Sequence, residues 1–189
     1  MNITIKRLES IRRVLLCFIV ITVGFIWIHS MMSREVSAEE SGRFVELLEP
    51  IFRRMNIGDA LADHIVRKLA HFLEYAGLGG EMGILACLNR MILRLKSTND
   101  SKNKNGINFD LDKTIFNNIR FKDVVGFAVN QVIYVAVIDE TIQIFSLRGS
   151  LVSDVCLDFF GGLTGAAVSY GLYRTVGRSL LERMKQVSD

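Results

Sequence analysis

The sequence predicts an all-α membrane protein, a bundle of four transmembrane helices with one amphipathic helix on its outer side. Charge is unevenly distributed, because all but seven of the 23 Lys and Arg and 20 Asp and Glu residues lie in the tails and loops. The mean hydropathy is positive, at +0.30, and the 189 residues include a single proline, Pro50. Long apolar segments of this kind form helices in lipid, since the bilayer offers the backbone no hydrogen-bond partner.

The composition also excludes several classes of protein. It does not fit a disordered chain, a collagen or a disulfide-rich secreted module. A net charge of +3 is too small an excess to favour a nucleic-acid partner. The sequence contains no GxSxG, P-loop or dinucleotide-binding motif, so it assigns neither catalytic residues nor a cofactor. The partner that it does predict is the lipid bilayer.

Four apolar segments are long enough to cross a hydrocarbon core of ~30 Å. They cover about residues 14–32, 69–88, 124–145 and 150–173. The first has no charged residue, whereas Glu74 and Glu81 interrupt the second. Together they predict a single membrane domain over residues 1–189, without internal boundaries.

Lysine and arginine predict the orientation. The N-terminal tail, the 89–122 loop and the C-terminal tail hold 16 of them, and the other side holds seven. Because positive charge favours the cytoplasmic side, we expect both termini in the cytoplasm and residues 34–67 as an extracytoplasmic loop. An alternative is that the first segment is a signal peptide, cleaved after Ala38.

The two long loops differ in character. In the outer loop, apolar residues recur at helical spacing, namely Phe44, Leu48, Ile51, Phe52 and Met55. This pattern predicts an amphipathic helix, either lying on the outer membrane surface or packing over the bundle. Residues 97–108 are polar and of low complexity, which predicts a flexible cytoplasmic linker.

Polar residues gather near the predicted outer surface. They are Lys68, His71, Glu74 and Tyr75 in the second segment, Asp139, Glu140 and Gln143 in the third, Arg148 in the following turn, and Asp154 and Asp158 in the fourth. A charged group in a membrane is costly unless it faces the bundle interior and meets a partner. We therefore expect these residues to form one polar layer, a candidate ligand-binding pocket.

The acids in this layer outnumber Lys68 and Arg148, so some must be protonated, metal-bound or matched by a ligand. Three interpretations stay open. The layer is an ion-pair network that holds the bundle together, a binding or catalytic pocket, or a metal site in which His71 and Glu74 act with an aspartate. The spacing i, i+3 permits chelation but is a weak signal.

Small residues follow on the same face of the fourth segment, at Gly161, Gly165 and Ser169. A small residue at every fourth position lets helix backbones approach closely. We assign these three residues to helix packing.

Two spaced motifs lie between residues 65 and 170. The first reads Lys68-x-x-His71-Phe72-x-Glu74-Tyr75-x-x-Leu78-Gly79. The second reads Asp139-Glu140-x-x-Gln143-x-Phe145-x-x-Arg148 and continues as Asp154-x-x-x-Asp158-x-x-Gly161-x-x-x-Gly165. The pair resembles the VanZ-like family of bacterial integral membrane proteins. Where that family more often has asparagine, this chain has Asp158.

The resemblance implies a role in the cell envelope, because the family is named for a protein that lowers susceptibility to the antibiotic teicoplanin. It leads us to expect an outer-leaflet pocket for a lipid-linked cell-wall intermediate or a lipoglycopeptide, and a contribution to glycopeptide resistance. Two alternatives are an intramembrane enzyme acting on a lipid head group, with His71 as general base or metal ligand, and a structural protein that acts through partners.

Overall fold

A computed structural model describes residues 2–32, 34–105, 119–145 and 152–186, with side chains over 5–32, 41–98, 119–145 and 152–176. Helices are the only regular secondary structure in these residues, which confirms the all-α class. The helices are α1 (Asn2–Met31), α2 (Arg34–Arg54), α3 (Asp59–Asn105), α4 (Phe121–Phe145) and α5 (Val152–Gln186).

Three helices are long and apolar enough to cross a membrane, over Ile5–Met31, Phe121–Phe145 and Val152–Val176. They correspond to the first, third and fourth predicted segments and indicate a multi-pass membrane protein. Their outward faces are apolar, as at Val20 of α1, whose side chain is 71% exposed. The second predicted segment lies inside α3, where Glu74 and Glu81 lower the hydropathy. A four-span bundle therefore stays a prediction.

Helix α3 is the longest element and the one around which the others pack. Its 47 residues span about 70 Å at 1.5 Å per residue, and it contacts all four other helices, most extensively α5. It continues to Asn105, so residues 97–105 are helical where the sequence predicts the start of a flexible linker. Residues 97–105 contain neither proline nor glycine, so nothing in them breaks a helix. Residues 106–108 of that predicted linker lie outside the described part of the chain.

The core lies between α1, α3, α4 and α5. Tyr75 and Leu78 of α3, Val132 of α4 and Ala166 of α5 are fully buried, together with Ile26 of α1. Apolar packing of four helices on one another leaves little room for polar groups along this line. The buried carboxylates lie towards one end of the bundle, with Asp139 and Glu140 in the last two turns of α4 and Asp158 in the first two turns of α5.

Helix α2 packs along the first turns of α3. Leu48 and Phe52 contact the cluster formed by Ala62 and Val66, and Ser41 donates a hydrogen bond to Asp63. An adjacent face exposes Phe44, Leu47 and Ile51, and Met55 in the following turn is exposed as well. The helix runs through Pro50 and ends before Asn56, which has a positive φ of 57°. Placement of the exposed face on a membrane surface stays a prediction.

Candidate functional site

The predicted polar residues that the structure describes come together at one end of the bundle. There α1 and α4 end and α5 begins, beside residues 68–75 of α3. We call this group the polar cluster. It contains His29 and Ser30 of α1; Lys68, His71, Glu74 and Tyr75 of α3; Asp139, Glu140 and Gln143 of α4; and Asp154 and Asp158 of α5. Arg148 lies outside the described residues.

The position of the cluster depends on the close approach of α3 and α5. A Cβ atom on Gly161 would lie 2.5 Å from the carbonyl oxygen of Phe72, and one on Gly165 would overlap the carbonyl oxygen of Ala76. Ser169, the third residue assigned to packing, is buried and donates a hydrogen bond of 2.9 Å to the carbonyl of Ala166. The glycines bring the two backbones together one to two turns from His71 and Asp158.

An ion pair lies at the rim of the cluster. The Nζ atom of Lys68 is 3.2 Å from Oδ1 of Asp154, and the two side chains are 36% and 26% exposed. This pair joins α3 to α5 while leaving both charged groups accessible from outside the bundle. A partly exposed pair of this kind stabilises a fold only modestly, so it does not account for the whole cluster.

A second contact joins α1 to α3. Nδ1 of His29 lies 3.2 Å from Oε1 of Glu74, and the imidazole stacks on Phe25 with ring centroids 5.9 Å apart. The ring of His29 also lies 6.5 Å from that of His71, centroid to centroid. His29 is absent from the predicted site. A histidine in an otherwise apolar span is the signal that could have indicated it.

Asp139 lies in the buried part of the cluster, which we call its floor and which also contains Asp158. Its side chain is fully buried, and it accepts hydrogen bonds from Ser30 Oγ of α1 and from Gln143 Nε2 of its own helix, the latter at 3.1 Å. Gln143 is one helical turn beyond Asp139, which places both side chains on one face. Ser30 is a second cluster residue that the sequence did not indicate. Glu140 and Gln143 are also buried.

Asp158 faces this floor from α5. It is fully buried, and neither of its carboxylate oxygens has a hydrogen-bond partner in the described part of the chain. Its Oδ1 atom lies 4.0 Å from Nδ1 of His71. Tyr75 is fully buried beside these groups.

Three potential metal ligands therefore meet on the floor. One ligand atom each from His71, Asp139 and Asp158 lies within 4.8 Å of the other two. The sequence paired His71 with Glu74 for this role, but the structure directs Glu74 to His29. An imidazole between two buried carboxylates can hold a cation or share a proton, while Lys68 and Asp154 at the rim can meet polar groups of a ligand.

Glu81 lies deeper in α3, outside the polar cluster. Its Oε1 atom accepts a hydrogen bond of 2.9 Å from Thr22 Oγ1 of α1. This contact gives the second carboxylate of α3 a local partner. Both acids that interrupt the predicted second segment are thus matched by α1.

Comparison with known proteins identifies a family. No curated protein and no solved structure matches the chain. A family model described as VanZ/LLP1 matches residues 15–174, which include every residue of the polar cluster. With about five-sixths of its length matched and both motifs inside the match, this chain belongs to the VanZ/LLP1 family of membrane proteins.

Proposed function

We propose that this VanZ-like protein binds the polar head of an envelope ligand at the polar cluster, in the outer leaflet of the bacterial cell membrane, and so contributes to teicoplanin-type glycopeptide resistance. The ligand is a lipid-linked cell-wall intermediate or a lipoglycopeptide. The observation that supports this proposal is the arrangement of the cluster. Lys68 and Asp154 form an accessible rim with one positive and one negative charge, and buried carboxylates lie below it.

The rim offers complementary groups to a mixed-charge head. Lys68 can meet a phosphate or carboxylate of the ligand, and Asp154 can accept hydrogen bonds from an amine or hydroxyl. Apolar side chains flank the rim, since Leu69 and Leu73 of α3 and Phe160 of α5 are exposed. A ligand with a polar head and an acyl chain would contact both surfaces at once.

The proposal can be tested by measuring the teicoplanin susceptibility of cells that express variants of the protein. The wild-type gene, Lys68→Ala and Glu74→Gln would be expressed in a susceptible bacterium, with Arg148→Ala as a further variant and Glu49→Gln as the control. Glu49 lies on α2 in an exposed pair with Arg53, away from the cluster. We expect Lys68→Ala, Glu74→Gln and Arg148→Ala to lose the protection against teicoplanin that the wild type and Glu49→Gln confer.

Protein level decides how the result is interpreted. Each variant is quantified in the membrane fraction, and its melting temperature is measured after purification. Unchanged protection in the cluster variants at normal protein level contradicts the proposal. Loss of protection together with a lower melting temperature supports the structural alternative instead. Binding of teicoplanin to the purified protein, compared with the same glycopeptide lacking its acyl chain, then tests for direct recognition.

A second candidate function is an intramembrane enzyme that acts on a lipid head group. The observation that favours it is His71 beside Asp158, because a carboxylate near an imidazole orients it and supports it as a general base. Turnover of envelope lipids by the wild type, lost in His71→Gln, would support this candidate. No turnover by the wild type would count against it.

A further inference from the structure

We propose that His71, Asp139 and Asp158 bind one divalent transition-metal ion, of which Zn²⁺ is the type, on the floor of the polar cluster. The three residues come from α3, α4 and α5, so the ion would tie three helices together. This inference goes beyond the proposed function and holds or fails independently of it, because it concerns the floor and not the ligand at the rim.

The geometry is close to that of a metal site. The three ligand atoms lie within 4.8 Å of one another, and the His71–Asp158 distance is 4.0 Å. Zn²⁺ binds imidazole nitrogen and carboxylate oxygen at about 2.0–2.2 Å, so ligand atoms in a tetrahedral site lie about 3.4 Å apart. Each atom therefore needs to move by about 1 Å or less, which side-chain rotation supplies.

The charge on the floor requires a partner. Asp158 is fully buried, and both of its oxygens are without a hydrogen-bond donor in the described chain. Among the described residues, no lysine or arginine pairs with Asp158 or Asp139, since Lys68 is held by Asp154 at the rim. Burying two carboxylates side by side without a cation is strongly unfavourable. A divalent ion with a neutral imidazole balances both charges.

The surroundings of Asp139 also fit a metal ligand. Carboxylates that bind a metal are themselves held by hydrogen bonds, which fix their orientation. Ser30 and Gln143 both donate to Asp139. By contrast Asp158 has no such donor among the residues with described side chains, so it is the ligand whose charge depends most on the ion. Three protein ligands leave a coordination position open, as in catalytic rather than structural sites.

The donor set selects the class of metal. Two oxygen atoms and one imidazole nitrogen suit Zn²⁺, Mn²⁺ or Fe²⁺, whereas soft Cu(I) prefers thiolate or thioether ligands. The described cysteines do not contribute, because Cys17 and Cys156 are exposed and Cys87 packs in a separate cluster with Val124.

Metal binding by the purified protein tests the proposal directly. The full chain is purified in detergent through a tag without histidine, stripped with a chelator and titrated with Zn²⁺ against a chromophoric competitor, with metal content measured by mass spectrometry. We expect about one ion per chain, and a coordinated-Co²⁺ absorption spectrum on substitution. His71→Gln and Asp158→Asn should weaken binding about tenfold or more.

Two variants serve as controls. Asp123→Asn makes the same acid-to-amide change at the opposite end of α4, where Asp123 pairs with Arg90 and Arg120, and it should bind like the wild type. Glu74→Gln should also retain the ion, because Glu74 contacts His29. Asp158→Asn is expected to fold, since asparagine is the more typical residue there in the family that the motifs resemble.

The outcomes separate clearly. The site is established if the wild type binds one ion per chain and this binding is lost in His71→Gln and Asp158→Asn but kept in the two control variants. If the wild type binds no metal above the detergent blank, the proposal is overturned. Equal loss in Glu74→Gln overturns the assigned ligand set. The wild-type titration does not depend on the folding of any variant, and teicoplanin protection is measured separately.

Discussion

Replacement of Gly165 by alanine tests the close packing of α3 on α5. The new Cβ would overlap the carbonyl oxygen of Ala76, and it would lie 2.7 Å from the carbonyl carbon of that residue and 2.8 Å from the backbone nitrogen of Gly80. Carbon contacts in proteins lie at about 3.5–4.0 Å, so the two helices must separate by about 1 Å. All of these atoms belong to backbone, which no rotamer change can move away.

The expected cost follows from this geometry. Forcing an extra methyl group into a packed core costs about 1–3 kcal/mol. For a chain of this size that corresponds to a fall in melting temperature of about 2–12 °C. The separation should also weaken the contacts between Lys68 and Asp154 and between His71 and Asp158, which bridge the same two helices.

Gly171→Ala is the matched control on the same helix. A Cβ at Gly171 meets nothing within 4 Å, so replacing this mid-helix glycine should stabilise the protein by about 0.5–1 kcal/mol. The two variants are purified in detergent and heated, and the fraction that remains monodisperse at each temperature gives the melting temperature of each. If Gly165→Ala melts at the temperature of Gly171→Ala, the helices are not packed as closely as described and the reasoning fails.

Three further predictions concern α1 and the topology. Ser30→Ala should lower stability by about 1–3 kcal/mol, because it removes a donor from a buried carboxylate, Asp139; an unchanged melting temperature would show that the bond contributes nothing. Thr22→Val should cost about 1 kcal/mol in the same melts by leaving Glu81 without its partner, and a stabilised variant would contradict this role. Reporter fusions should place both termini in the cytoplasm; an active periplasmic reporter at either end would contradict that orientation.

Much of the cluster could be predicted because the cost of burying charge acts on each residue locally. His71 and Glu74 of α3, Asp139 of α4 and Asp158 of α5 each lie near the end of an apolar segment, and helical spacing aligns them on one face. Their meeting in one cluster could therefore be predicted from the lengths of the segments and from helical spacing. The contribution of α1 could not be predicted in this way, because a count of charged residues leaves out histidine. Whether His29 faces lipid or Glu74 depends on the rotation of α1 about its axis, relative to α3.

The extent of α3 beyond the apolar segment was predicted wrongly for a related reason. Composition at 97–105 is polar enough for a loop, but polar residues on an exposed helix are stable when a preceding helix has already formed, since propagation costs far less than nucleation. The helix therefore continues to Asn105. Local composition does not carry that information.

The sequence by itself determined the family, the helical class, the apolar segments and the gathering of polar residues near the ends of those segments. The last three follow from the cost of placing backbone and charge in lipid. Tertiary structure decided which polar groups become partners. It pairs Glu74 with His29 and buries Asp158 beside His71. It also brings Asp139 close to both His71 and Asp158. Pairing depends on helix rotation and on separations of a few ångströms, which close packing at Gly161 and Gly165 imposes and spacing along the chain does not encode.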